Sequence, residues 1–350
     1  MPSPADDALR MLQAVGCVAA VAVPVAVACG FVARKRLGSL CPRWTSPPFI
    51  WPGVAIFVAF VIVFFSPLFA SLLNHVGFYR LVYPNDFPAP PPDAAPGDVA
   101  RVQDTLKNIW LTFLSVPSLL FAAVMVRAHF FFRPVPWAHE LRQLPRTVAL
   151  GLLGWATFGF AAYAINAGLT FLFAALGWTT DEHPLAKMGA NGDGYGGLLL
   201  TLSACVCAPL MEEFLYRGLL VPWAGGRWFR PWCLLFPAAV LALFSGLKPD
   251  LTFNAPAVVF VLVLAVGAYA IQRVGKLRAN FPARTVLAVW SSAALFAAMH
   301  STVWPSPIPL FVLGLGLGYL TARTRSWTAA AVCHAAFNAV GTVWVFLRGS

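Results

Sequence analysis

Long apolar runs separated by short charged loops set the hydrophobic and polar pattern of this 350-residue chain. A run of about 20 apolar residues is long enough to cross the hydrocarbon of a bilayer as an α-helix. The pattern therefore predicts an all-α, polytopic bundle of transmembrane helices with about ten spans, the sixth and ninth being short. The predicted spans are 11–33, 49–73, 109–126, 147–176, 197–221, 232–247, 255–273, 284–303, 308–322 and 327–347.

Composition supports a membrane protein and argues against a soluble enzyme with a large core. Hydrophobic residues make up 59% of the chain and charged residues 11%, whereas soluble domains carry about 25% charged residues. The net charge of +11 would suggest a nucleic-acid partner in a soluble protein. Here 17 of the 24 Lys and Arg residues fall in alternate loops, which is the positive-inside pattern, so the charge reflects topology and predicts both termini outside.

The two parts of the chain differ in content. Residues 1–194 supply four predicted spans without buried ionisable groups, and a proline-rich outer loop at 77–105. Residues 195–347 supply six spans and every ionisable group that falls within a span. No internal repeat is found, so an inverted-repeat transporter is not indicated. Gly314 and Gly318, four residues apart in a hydrophobic span, predict a face for close helix packing.

Three short patterns contain the two carboxylates and two histidines that fall inside the apolar spans. An ionisable group in hydrocarbon costs about 3 kcal/mol or more, so such groups are usually functional. The resulting hypothesis is a shared polar pocket formed by three helices. The patterns are Glu212-Glu213-Phe214-Leu215-Tyr216-Arg217, Phe296-Ala297-Ala298-Met299-His300 and His334-Ala335-Ala336-Phe337-Asn338.

Helical spacing indicates different roles for the two glutamates. Residues four apart share a face, so Glu213 and Arg217 are natural ion-pair partners. Glu212 points elsewhere, and an unpaired carboxylate in a low-dielectric medium suits a group that accepts and returns a proton. The alternative is that both glutamates only neutralise arginines between helices.

The other two patterns follow the same spacing. His334 and Asn338 lie on one face, where they could offer two polar groups to one oxygen, or His334 could bind a metal. Phe296 and His300 also share a face, so the ring should pack beside the imidazole. Each histidine alone could be a packed, hydrogen-bonded residue.

In order, these patterns resemble the CPBP family of intramembrane proteases, which includes the type II CAAX prenyl endopeptidases and the bacterial Abi proteins. The family patterns are Glu-Glu-x-x-x-Arg, Phe-x-x-x-His and His-x-x-x-Asn/Asp, and the resemblance covers roughly 195–343. It implies that Glu212, helped by His300, activates a water, and that His334 and Asn338 stabilise the oxyanion. Glu213 and Arg217 would hold the site together.

The family is commonly classed as metalloprotease, so the resemblance also allows a Zn²⁺ ion bound by Glu212, His300 and His334. A metal-free glutamate mechanism fits the same residues, and spacing does not choose between them. The chain departs from the family because residues 218–295 separate the first two patterns. That separation accommodates an inserted helix pair within 231–275.

Depth along the helices places the site near the inner face. At 1.5 Å per residue, Glu212 should lie about 9 Å and His334 about 10 Å from that face. The same count places His300 about 24 Å from the face, or about 15 Å if its span starts near Trp290. We expect His300 to face Glu212 within reach of one water or ion.

The leading hypothesis is an intramembrane endopeptidase that opens to the cytoplasmic side and cuts a membrane-tethered or lipidated protein near its end. The rivals are a non-catalytic scaffold or bacteriocin-immunity protein and a proton-coupled transporter. The expected partners are the lipid bilayer and the protein substrate, without nucleic acid. The Ala, Pro and Arg content favours a bacterial source and hence the plasma membrane.

Overall fold

The computed structural model describes residues 4–33, 137–177, 201–225, 232–245, 255–278 and 282–349. Every regular element in these ranges is a helix, and there are eight of them, which agrees with the predicted all-α class. They are α1 (Pro4–Ala33), α2 (137–175), α3 (201–224), α4 (Trp232–Ser245), α5 (Ala255–Leu277), α6 (Ala283–Ala298), α7 (Pro307–Thr324) and α8 (Thr328–Gly349).

Eight of the predicted spans correspond to these eight helices. The predicted spans 49–73 and 109–126, the loop 77–105 and parts of the loops that carry the charge pattern lie outside the described residues, so the count of ten and the orientation remain predictions. One boundary was wrong: α6 ends at Ala298 and not at 303. His300 therefore lies in the turn that follows α6.

Four of the described helices are long and apolar enough to cross a membrane, namely Leu9–Val32, Leu144–Ala175, Ala255–Leu277 and Thr328–Leu347. Large apolar side chains on them are exposed, such as Phe171 at 77%. A soluble protein rarely exposes contiguous apolar surface on this scale, whereas lipid tails solvate it. These helices indicate a multi-pass integral membrane protein.

Helix α7 lies between two apolar clusters. Phe311 belongs to the cluster formed with α3, α4, α5 and α6. Leu313 and Leu317 belong to the cluster formed with α1, α2 and α8. The helices before residue 195 thus share a core with α7 and α8.

Two helices in the predicted insertion, α4 and α5, pack against α6. The indole N–H of Trp290 on α6 donates to the Leu264 carbonyl on α5 over 3.1 Å. The hydroxyl of Ser301, just after α6, lies 3.3 Å from the Leu241 carbonyl on α4 and shares its single proton between that carbonyl and the Ala298 carbonyl of its own turn. The helix pair is therefore anchored to α6 by hydrogen bonds as well as by apolar contact.

The predicted glycine face of α7 is confirmed. A Cβ at Gly314 would lie 3.1 Å from the Cβ of Ala293, and one at Gly318 would lie 2.6 Å from Cγ1 of Val289. Both neighbours belong to α6. The absence of side chains at these two positions lets the α6 and α7 backbones approach closely.

Gly316 lies on the opposite face of α7, where its lack of a side chain leaves room for a neighbouring helix. A Cβ there would lie 2.2 Å from Cγ of Phe158, in α2. Substitution with Ala should therefore destabilise the bundle by about 1–3 kcal/mol, since the Phe158 ring must move out of a packed position. The measurement is the free energy of unfolding in detergent micelles.

Gly168→Ala is the matched control for this substitution. Gly168 also lies within a helix, but nothing lies within 4 Å of a Cβ added there. Its stability should stay constant or rise slightly because Ala is the better helix former. Equal stability of the Gly316→Ala and Gly168→Ala proteins would contradict the proposed packing of α7 on α2.

Candidate active site

Two π-helical turns in α3 flank the acidic pair. Residues Ser203–Cys207 and Phe214–Leu220 are π-helical, and the α-helical segment Ala208–Glu213 lies between them. A π turn shifts backbone hydrogen bonding from i+4 to i+5 and often marks a functional site. In each π turn one carbonyl accepts a bond from another helix: Ala204 from Asn338 Nδ2 at 2.7 Å and Tyr216 from Ser292 Oγ at 3.1 Å.

The carboxylate of Glu213 joins two of the three sequence patterns. Its Oε1 accepts a bond from Arg217 Nη1 over 2.9 Å, which is the ion pair predicted from spacing. The same oxygen lies 2.9 Å from Nδ1 of His334 on α8. Because an ionised carboxylate only accepts hydrogen bonds, Nδ1 of His334 carries the proton in this contact.

The guanidinium of Arg217 has three neighbours of different kinds. Besides Glu213, its Nη2 donates to the Gly314 carbonyl on α7 over 3.2 Å. Its Cζ lies 4.6 Å from the centroid of the Phe296 ring, a cation–π distance. Both Arg217 and Glu213 are completely buried. The ion pair thus connects α3 with α6, α7 and α8 in the interior.

The second carboxylate faces the other nitrogen of the same imidazole. Oε2 of Glu212 lies 3.9 Å from Nε2 of His334, beyond a direct hydrogen bond. That oxygen is buried and has no hydrogen-bond partner among the described residues, although the Glu212 side chain is 22% exposed. Glu212 is therefore the carboxylate of the pair that is both reachable from outside and chemically uncommitted.

The ring of Phe296 is the point on which the three patterns converge. It is fully buried. Its centroid lies 5.1 Å from that of His300 and 5.6 Å from that of His334, with the latter ring perpendicular to it. The predicted packing of Phe296 beside His300 is therefore present. The distance between the ring centroids of His300 and His334 therefore cannot exceed the sum of these two distances.

His300 is fixed by the end of α6. Its Nδ1 lies 2.9 Å from the Phe296 carbonyl, and since a carbonyl only accepts, Nδ1 donates. The neutral ring then carries its lone pair on Nε2. Within the described ranges no ion pair joins His300 to Glu212, so their predicted cooperation stays a prediction.

Asn338 is held against α3 by the bond from Nδ2 to the Ala204 carbonyl. Its own carbonyl accepts a bond from Thr342 Oγ1 over 2.9 Å. One amide N–H and Oδ1 of Asn338 are left for other partners. The structure therefore puts Asn338 and His334 on one side of α8, both against α3, and their joint action on one oxygen stays a prediction.

Tyr163 on α2 is a neighbour of this site that the sequence patterns did not indicate. Its hydroxyl donates to the Phe337 carbonyl over 2.6 Å. The Tyr163 and Phe337 rings also stack, with centroids 4.6 Å apart and planes 9° apart. A single Tyr in an apolar span gives no sequence signal for such a role.

Among the described residues, the side chains around Glu212 and His334 offer too few donors for the zinc ion that the resemblance allows. Catalytic zinc usually has three protein ligands. Glu212 and His334 present one donor each to a common region, and no group of three or more His, Cys, Asp or Glu able to hold a metal occurs in the described part of the chain. As arranged, these residues do not fit a three-ligand zinc site, and no chemical step is derived through a metal.

The buried ion pair should dominate stability. Arg217→Ala leaves the Glu213 charge in the interior without its main partner and should cost about 3–5 kcal/mol. The double variant Glu213→Gln with Arg217→Met should recover part of that loss, because it leaves no uncompensated charge. The measurement is the free energy of unfolding in detergent micelles.

Arg273→Ala is the control, since Arg273 is exposed and, among the described residues, its guanidinium contacts Tyr269 one turn back on its own helix. It should change stability by about 0.5 kcal/mol or less. An Arg217→Ala protein as stable as the Arg273→Ala protein would contradict the structural role of the pair.

The comparisons with known proteins agree with the site. The family model described as Type II CAAX prenyl endopeptidase Rce1-like matches residues 195–340, which contain all three patterns. No curated protein and no solved structure matches the chain. Residues 195–340 therefore form a domain of the Rce1-like type II CAAX prenyl endopeptidase family.

Proposed function

We propose that this protein is an intramembrane endopeptidase that hydrolyses a peptide bond of a membrane-tethered or lipidated protein. The observation that carries the proposal is the uncommitted Oε2 of Glu212, which faces an imidazole whose other nitrogen is bound by Glu213. A structural ion pair would have no need for this second, unpaired carboxylate.

Glu212 is the general base of the proposed reaction. Its carboxylate takes a proton from a water molecule as the water oxygen bonds to the carbonyl carbon of the substrate. When the tetrahedral intermediate collapses, the C–N bond breaks and Glu212 returns that proton to the leaving amine. Oε2 itself is buried, so water and substrate would approach the carboxylate from the part of the Glu212 side chain that is exposed.

His300 assists the base in this proposal. Because its Nδ1 donates to the Phe296 carbonyl, Nε2 is the nitrogen that is free to accept a hydrogen bond from the attacking water. The Phe296 ring limits the orientation of this imidazole. The histidine thus needs little rearrangement to act, which lowers the entropic cost of reaching the transition state.

His334 and Asn338 are the proposed oxyanion donors. With both ring nitrogens protonated, His334 donates through Nδ1 to Glu213 and through Nε2 to the developing oxyanion. In that state the formal charges of Glu212, Glu213, Arg217 and His334 sum to zero. The remaining N–H of Asn338 supplies the second donor, and each is worth about 3–4 kcal/mol at the transition state.

The substrate class follows from the location of the site. Glu212 and His334 lie among apolar helices, and the count of residues along the sequence predicts that both are about 10 Å from the inner face. A peptide bond close to a lipid anchor or a membrane span reaches that depth. The family description implies prenylated or membrane-bound proteins in general.

Glu212→Gln should lower peptide cleavage by about 10²–10⁴-fold, because Gln keeps the shape of the side chain and cannot accept the proton. The assay uses protein in liposomes with a peptide ending in an S-farnesylated CAAX sequence, and mass spectrometry of the products. The same peptide without farnesyl tests whether the lipid is needed.

Glu140→Gln is the matched control and should retain wild-type activity, since Glu140 lies outside the three patterns. Activity of the Glu212→Gln protein within about twofold of wild type would exclude Glu212 as the base. A wild-type protein inactive on both peptides would favour the non-catalytic scaffold.

Removal of metal ions by a chelator tests whether the proposed reaction at this site proceeds without a metal. Because Glu212 and His334 form only a two-donor set, 1,10-phenanthroline should leave the cleavage rate unchanged. Elemental analysis of the purified protein should run alongside. A loss of activity that zinc restores would show that the donor set is completed by a further residue, and the general-base assignment would then be withdrawn.

A further inference from the structure

The site region of α8 receives hydrogen bonds on two successive carbonyls. The Phe337 carbonyl accepts from Tyr163 on α2, and the Asn338 carbonyl accepts from Thr342 one turn further along α8. In a regular helix each carbonyl is occupied by the amide four residues on. An additional donor at that carbonyl usually bends the helix or shifts its local geometry.

The two donors come from different sources, and only one is local. Thr342 bonds within its own helix and also lies 3.5 Å from Sγ of Cys205 on α3. Tyr163 belongs to α2, outside residues 195–340, which are the residues that match the family. Helix α2 therefore makes a directed polar contact with the residue next to Asn338.

The contact is well suited to fix a backbone position. The stacked rings of Tyr163 and Phe337 restrict translation along α8, and the 2.6 Å bond from the hydroxyl sets the depth of the contact. The side-chain amide of Asn338 in turn donates a hydrogen bond to the Ala204 carbonyl on α3. Helices α2 and α3 thus fix this turn of α8 from two sides.

Resting on the proposed function, we infer that Tyr163 is a positioning residue for Asn338, and that the helices preceding the family domain contribute to catalysis through it. The Tyr163 hydroxyl holds the Phe337 carbonyl, and this fixes the adjacent Cα of Asn338, from which its amide reaches the oxyanion. Tyr163 itself touches no reacting atom in this proposal.

Tyr163→Phe is the decisive substitution, because it keeps the stacked ring and removes only the hydroxyl. The kcat should fall about 2- to 12-fold with KM unchanged, which corresponds to one hydrogen bond that matters in the transition state. In an Asn338→Ala background the same substitution should change kcat by less than about twofold, since the residue it positions is gone.

Two further variants separate positioning from general stability. Thr170→Val removes an exposed hydroxyl whose hydrogen bond, within the part of the chain that the structure describes, goes to the Asn166 carbonyl of the same helix, and it should leave kcat unchanged. Tyr163→Leu removes ring and hydroxyl together and should lower both kcat and the melting temperature in detergent. Tyr163→Phe should lower the melting temperature less than Tyr163→Leu does, because it keeps the stacked ring.

The outcomes distinguish this inference from the proposed function. Equal losses of kcat from Tyr163→Phe in the wild-type and Asn338→Ala backgrounds would overturn the positioning role while leaving the peptidase intact. An unchanged kcat for Tyr163→Phe in active protein would do the same. Wild-type protein that cleaves neither peptide would refute the proposed function, and the inference would fall with it.

Discussion

One carboxylate oxygen, Oε1 of Glu213, supports the arrangement of the whole site. A buried charge is tolerated only where it is paired and hydrogen-bonded. This oxygen meets that condition by accepting from both Arg217 and His334. Because Arg217 also reaches α7 and the Phe296 ring of α6, the need to neutralise a single charge brings four helices together.

The same constraint distinguishes the chemistry of the two adjacent glutamates. Glu213 is enclosed and its Oε1 is shared between two donors, so it is committed to holding His334 in one orientation. Each glutamate has a buried Oε2 without a hydrogen-bond partner among the described residues. Glu212 differs in that neither Arg217 nor His334 lies within hydrogen-bond distance of it and its side chain is 22% exposed. Neighbouring positions on α3 therefore hold an enclosed, ion-paired carboxylate and the one that we propose as the base, both in the α-helical segment between the two π turns.

Those parts of the structure that depend on local spacing could be predicted from the sequence. The Glu213–Arg217 pair and the Phe296–His300 contact each join residues four apart on one helix. The glycine face of α7 follows from the same spacing. Eight helices could be placed because long apolar runs have few alternatives to a helix in a membrane protein, and four of the eight are long and apolar enough to cross a membrane.

What could not be predicted depends on which helices are neighbours and on irregular turns. The bond from His334 to Glu213 links residues 121 positions apart, and the bond from Asn338 to Ala204 uses a carbonyl within a π turn. The depth assigned to His300 was counted along a helix from Arg284, whereas α6 ends at Ala298 and His300 lies two residues beyond that end. The spacing of the last two residues therefore departs from helical rise, and the depth of His300 stays a prediction.

The glycines on both faces of α7 restrict how the bundle can admit a polypeptide. Gly316 receives Phe158 on one side while Gly318 receives Val289 on the other, so rotation of α7 about its axis would drive bulkier positions against both neighbours. Sliding along α6 would break the bond from Arg217 to Gly314. Entry of a substrate by helix separation must then leave α6 and α7 together as one unit and open a seam elsewhere in the bundle.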